Sequence, residues 1–305
     1  MTKTLKVIEP TLLTEGIIFG EGPRWRDGKL YLSDMLGKKI YAIDDAGNKE
    51  VVVQVPNQPN GICFAPDGTL IHCSMFDQAL YKVVDGEDVL YKDLSPLMTG
   101  YCGDIVMDDA GRIYVDDVGA RLHHGETRRP GRVLIVETDG SLKSAVENIM
   151  FPNGIVISPD GKTLLLGESH AHCITRFDIA PDGSLHNRRV WLDTFDLIDY
   201  GVDGDRVSFP WVDGLVMDAE EGVWVSMLKA DCFVRVDKDA KPTHIIRVHG
   251  DATACTLGGP DGKTLFMACN AIPKDEDIFK AMTEGRSKGC VMTARVDIPK
   301  GETRP

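Results

Sequence analysis

The 305-residue chain sets 34 lysines and arginines against 47 aspartates and glutamates, a formal charge of −13. Nucleic acids and anionic membranes are held by positive potential, so this balance argues against both as partners. No run approaches the ~20 apolar residues of a bilayer span, and the opening MTKTLKVIEPTLL lacks the apolar core and cleavage site of a secretory signal; the expectation is a cytoplasmic protein, a monomer or small homo-oligomer.

The first predicted element, Leu5–Leu13, is a strand with no neighbour in sequence to pair with. A unit then begins to repeat. Copy one is GEGPRWRDGKLYLSDMLGKKIYAID (20–44) and copy two is PNGICFAPDGTLIHCSMFDQALYKV (59–83). Copy three is CGDIVMDDAGRIYVDDV (102–118), with its third strand delayed to 131–137. Copy four is FPNGIVISPDGKTLLLGESHAHCITRFD (151–178) and copy five is VDGLVMDAEEGVWVSMLKADCFVRVD (212–237). Copy six is ACTLGGPDGKTLFMAC (254–269), with a third strand at 289–297. A fourth run follows several copies, at Val51–Val55, Val89–Tyr91, Val190–Leu192 and His244–Val248.

Four strands at a period of about 40 residues mark a propeller blade. The runs are too short, and too rich in β-branched residues, for a helical repeat. The prediction is an all-β, six-bladed β-propeller occupying residues 1–305 as one domain, with Leu5–Leu13 supplying the outer strand of the last blade. A helix is expected only over Asp275–Met282. The eight cysteines form no CxxC pair and fall in or beside apolar runs, which reads as buried, reduced thiols.

Blade geometry gathers the start of each inner strand and the loop between strands two and three at one end of the channel. The long insertions 94–103, 117–130, 193–211 and 269–288 share that end, where binding sites are built. Aligned on the glycine that opens the inner strand, the copies place Glu21, Asn60, Asn153 and Asp213 at one offset. Two carboxylates and an amide directed at one axial point repel, or hold a proton, unless a cation lies between them. All-oxygen ligation by Glu21, Asn153 and Asp213 suits calcium, or else magnesium or manganese, more than zinc or iron. A plain turn-forming role for Asn or Asp before Gly is the alternative.

The motifs GEGPRW (20–25), FPNG (151–154) and VDG (212–214), set among Pro-Asp-Gly turns, resemble the senescence marker protein-30, gluconolactonase and luciferin-regenerating enzyme family. The resemblance covers nearly the whole chain. It implies a six-bladed propeller, one divalent ion in the channel mouth and hydrolysis of lactones, chiefly sugar aldonolactones. It implies Glu21, Asn153 and Asp213 as metal ligands and Asp213 as general base.

Departures from the family's pattern bear on substrate. Blade three opens with Gly103-Asp104 where the family usually has Asn-Asp, which removes an amide and is expected to open space beside the ion. Val212, after the bulky Trp211, stands where Pro is common. The rim arginines are few: Arg121, Arg128 and Arg129. Met35, Met75, Phe76, Met98, Tyr101, Phe209 and Trp211 make the expected mouth apolar. His170, accompanied by Glu168 and His172, is a candidate substrate contact, and His123 and His124 share its loop end. No GxSxG elbow is present, against a serine hydrolase. The expected function is metal-dependent opening of a lactone less polar than a sugar lactone. Gly103, Asp104, His170, Trp211, Phe76 and Met35 are its expected substrate contacts. A sugar aldonolactonase, an arylesterase or phosphotriesterase at the same ion, and a non-catalytic metal- or small-molecule-binding propeller are the alternatives.

Overall fold

The computed structural model describes residues 4–202, 210–272 and 277–301. Its strands form six sheets, five of four strands and one of five, arranged as a six-bladed β-propeller. Blades one to five follow the chain from inner to outer strand, beginning with Gly20–Arg26, Pro59–Phe64, Cys102–Met107, Pro152–Ile157 and Trp211–Met217. Each blade turns where the sequence has an Asp-Gly pair or its relative. The carboxylates of Asp67, Asp139, Asp160, Asp182 and Asp261 each accept the N–H two residues on, the side-chain mimic of a backbone turn.

The last blade is closed by the N-terminus, with a shifted boundary. Its outer strand is Thr11–Ile17, antiparallel to Lys288–Arg295, not Leu5–Leu13. Pro10 lacks an N–H and separates Thr11–Ile17 from a second, shorter pairing. Lys6 and Val7 add in parallel to Pro242–Arg247 and make blade five the five-stranded sheet. The helix runs Ile278–Thr283, capped by the Asp277 carboxylate accepting from Lys280 N at 3.0 Å.

Apolar clusters fill the space between blades, as where Ile71, Leu80, Ile105, Val115 and Leu134 of blades two and three meet. All eight cysteines are free, and seven are buried. Acidic residues at the end of second strands tie the blades together. Asp34 accepts from the N–H groups of Ile18 and Phe19, Asp117 from Thr99 and Gly100, and Glu168 from Met150. These carboxylates stand near the mouth but are consumed by backbone donors.

Candidate active site

Every inner strand slips register near its start: between Glu21 and Arg24, Pro59 and Ile62, Cys102 and Ile105, Pro152 and Ile155, Val212 and Leu215, and Ala252 and Ala254. A bulge re-aims the side chain it carries. Repeated around the axis, it presents the expected ring of Glu21, Asn60, Gly103, Asn153 and Asp213, all five lining one cleft of about 750 Å³ counted out to open solvent. The sixth member, Thr253, is spent on the backbone, donating to Gly20 O at 2.9 Å. Blade six carries Ala254 instead of glycine after that position, so the sequence alignment passed over it.

The glycines behind this ring permit contact between inner strands. A Cβ on Gly154 would stand 2.5 Å from Asp213 O and 2.6 Å from Leu215 N, and one on Gly61 would stand 2.5 Å from Ile105 N. Neighbouring blades therefore meet backbone to backbone, which brings Glu21, Asn153 and Asp213 to one end of a narrow channel.

Asp213 is 4% exposed, and its Oδ1 is buried with no hydrogen-bond partner. Burial, then the Glu21 carboxylate, pushes its carboxyl well above the usual range, opposed by a hydrogen bond from Asn153. Glu21 is pushed up to about 8 by burial and by Asp104. Asn153 is steadied in turn, its Nδ2 donating to Ser169 Oγ at 3.4 Å while that hydroxyl donates to Val212 O at 2.6 Å. Two buried carboxyls that are both pushed upward, an amide beside them and an orphaned buried oxygen fit a hard divalent ion. Among the described residues no group of three or more His, Cys, Asp or Glu side chains forms a further metal cluster. The Glu21, Asn153 and Asp213 set holds only two such residues.

The wall of the cleft includes Met35, Met75, Tyr101, Phe151, His170, Trp211, Phe279 and Met282, with the helix Ile278–Thr283 closing one side. Met35, His170 and Trp211 thus stand where expected. Phe76 lies one layer out, packed on Tyr101 with ring centroids 4.9 Å apart. Met98 belongs to the core between blades two and three, and Phe209 lies outside the described residues. His123 lines the cleft, whereas His124 bonds the Tyr101 hydroxyl and His172 bonds Pro210 O at 3.0 Å.

Two expectations for blade three need correction. Asp104 is aimed away from the wall into a buried ion pair with Arg24, Oδ1 to Nη2 2.8 Å, so it acts on the site through its charge. Gly103 opens no space: a Cβ there would meet Asp116 Oδ1 at 2.5 Å. The Asp116 carboxylate accepts from Gly103 N at 2.6 Å and Asp104 N at 2.9 Å, fills the gap and itself lines the cleft. Sequence reasoning missed it because Asp116 sits on the second strand. The signal was its place in the pair Asp116-Asp117, at the position held by Ser33, Cys73 and Ser226 in other blades.

Burial pushes the imidazole of His170 down to about 4, helped by Arg128, and that of His123 down to about 4, helped by His124. Unfolded histidine takes up a proton near pH 6.5, whereas these two stay neutral until about pH 4. Their contribution to stability is therefore full above pH 6.5 and is lost as pH falls from there toward 4. Urea denaturation between about pH 8 and pH 5 is expected to show that decline, and a His123→Phe/His170→Phe variant to flatten it. An unchanged slope would mean that the imidazoles titrate as they do in water.

The fold and the site together define a class: propellers that gather carboxylates and an amide on the channel axis under a long-loop mouth. Residues 19–271 match the SMP-30/Gluconolactonase/LRE-like region family, and the chain belongs to it. The chain is 28% identical over 187 residues to the lactonase drp35 of Staphylococcus haemolyticus, an alignment covering 59% of this chain and just over half, 55%, of that one. It is 22% identical over 306 residues to the 6-deoxy-6-sulfogluconolactonase of Pseudomonas putida, covering 98% and 97%. Among solved structures, a calcium-binding regucalcin from Agrobacterium tumefaciens superposes with a TM-score of 0.74 at 21% identity, over 97% of this chain and 99% of that one.

Proposed function

We propose that this protein hydrolyses a lactone less polar than a sugar aldonolactone, with Asp213 as general base and a divalent ion held by Glu21, Asn153 and Asp213. The observation that carries the reading is the buried, unpartnered Oδ1 of Asp213 at the floor of a cleft with apolar walls. The names of the lactonase relatives support the reaction class. The ion, when bound, supplies fixed positive charge beside the scissile carbonyl and makes a water more acidic.

Asp213 Oδ1 takes the proton of the attacking water while the water oxygen bonds to the carbonyl carbon. Collapse breaks the ring C–O bond, and the proton held by Asp213 passes to the ring oxygen, giving a hydroxy acid. The Asn153 amide keeps the base oriented throughout, and the walls limit competing solvent.

Several polar groups on those walls are already engaged. The Tyr101 hydroxyl bonds His124, the Ser169 hydroxyl bonds Val212 O, and the Asn60 amide faces the sulfurs of Met75 and Met35 at 3.6 and 4.0 Å. A sugar hydroxyl left unpaired there loses about 1–3 kcal/mol. Burying ~100 Å² of apolar ligand instead contributes about 2.5 kcal/mol. In a pH-indicator assay over a lactone panel, alkyl- or aryl-substituted lactones are expected to exceed gluconolactone in kcat/KM by well over tenfold, about 10²-fold. Chelator should abolish turnover and calcium or another divalent ion restore it. Faster opening of gluconolactone would overturn the polarity assignment. Absence of any turnover with each ion would favour the non-catalytic metal-binding alternative.

A further inference from the structure

Three arginines stand in the loop that follows blade three's second strand, and they are not equivalent. Arg121 and Arg129 both pair with Glu126, at 2.8 and 3.0 Å. Arg128 has no carboxylate within ion-pair distance among the described residues, and its guanidinium carbon lies 5.7 Å from the centroid of the Trp211 ring. Lys229 is in the same condition, its Nζ 5.2 Å from that centroid. In a chain with 47 acidic residues against 34 basic ones, two cations with no acidic partner among the described residues stand at one ring, and that ring lines the cleft.

We infer that Arg128 and Lys229 form an anion subsite at the cleft mouth, so that the substrate is a lactone carrying an anionic substituent such as a carboxylate. The inference rests on the lactonase reading and narrows it. A guanidinium over an indole ring is steadied by the ring face while its N–H edges remain available to an oxyanion. Charge-assisted bonds of this kind are the strong ones. The ligand is therefore oriented with its charge at the rim, its apolar body against Trp211 and Phe151, and its neutral ring carbonyl inward.

The test compares two γ-butyrolactones of the same shape, one bearing a 4-carboxyphenyl group and the other a 4-carbamoylphenyl group, with the divalent ion present. The carboxylate is expected to be preferred by at least about tenfold in kcat/KM at low salt. The ratio should shrink at high salt and approach one in the Arg128→Gln/Lys229→Gln variant. An equal or better rate for the carbamoyl lactone in the wild type, or a ratio unchanged in the variant, overturns the subsite while leaving the lactonase reading intact. If neither lactone is opened, the lactonase reading fails, and the subsite is judged by tryptophan-fluorescence titration with the same two compounds. Tighter binding of the carboxylate in the wild type alone supports it, and equal binding overturns it.

Discussion

Asp213→Asn is expected to lower kcat by about 10²–10⁴-fold, and Glu21→Gln to abolish turnover at ordinary ion concentrations, with the β spectrum of both variants unchanged. Asparagine keeps the shape of Asp213 and its contact with Asn153 but removes the oxygen that takes the proton. Glutamine at 21 removes one of two charges that face each other at the channel floor. The same repulsion gives a second readout. In chelator, Glu21→Gln should melt above the wild type, because the raised carboxyls of Glu21 and Asp213 mark a charge conflict in the ion-free fold. Calcium should raise the melting temperature of the wild type and do much less for either variant. Wild-type turnover in both variants would remove them from the chemistry, and loss of the β spectrum in both would assign them to the fold instead.

Gly154→Ala is expected to be among the most damaging single methyl groups that can be added near the site. Its Cβ would lie 2.5 Å from Asp213 O, 2.6 Å from Leu215 N and 2.8 Å from Gly214 C. All three are backbone atoms of the next inner strand, so no side-chain rotation relieves the overlap. Overpacking costs about 1–3 kcal/mol where side chains can yield, and this contact belongs at the upper end of that range or beyond it. The strain acts directly on the strand that carries Asp213, so kcat should fall together with the melting temperature. Gly103→Ala provides the contrast. Its Cβ meets the Asp116 carboxylate at 2.5 Å, the end of a side chain that can swing aside, so its stability cost should be smaller. A Gly154→Ala protein with unchanged melting temperature and activity would show that the inner strands do not touch as described.

The strand runs, their Asp-Gly turns and the number of blades were legible because each rests on local chemistry. Alternating apolar runs make half-buried strands, and an Asp carboxylate closes its own turn. The repeat then multiplies a weak local signal six times. The offset of Glu21, Asn153 and Asp213 was legible for the same reason, since equivalent positions in a repeat converge on its axis. Local chemistry went astray at the N-terminus, where Leu5–Leu13 reads as one apolar run although Pro10 divides it between two blades.

What the sequence by itself determined is the architecture and the identity of the axial carboxylates and amide, because periodicity and residue type are properties of the chain read in one dimension. Only the tertiary structure decided what surrounds them. Asp104 and Asp116 stand 12 residues apart, and nothing local tells which of them faces the cleft. The answer depends on Arg24, 80 residues away, claiming Asp104, and on the absence of a side chain at Gly103 letting Asp116 in. The fates of Arg128 and Lys229 were likewise set by an indole ring reached only when blades three and five close on one channel. Contacts of that kind depend on which groups are already paired, and pairing between distant blades is settled by packing, not by the order of residues along any one of them.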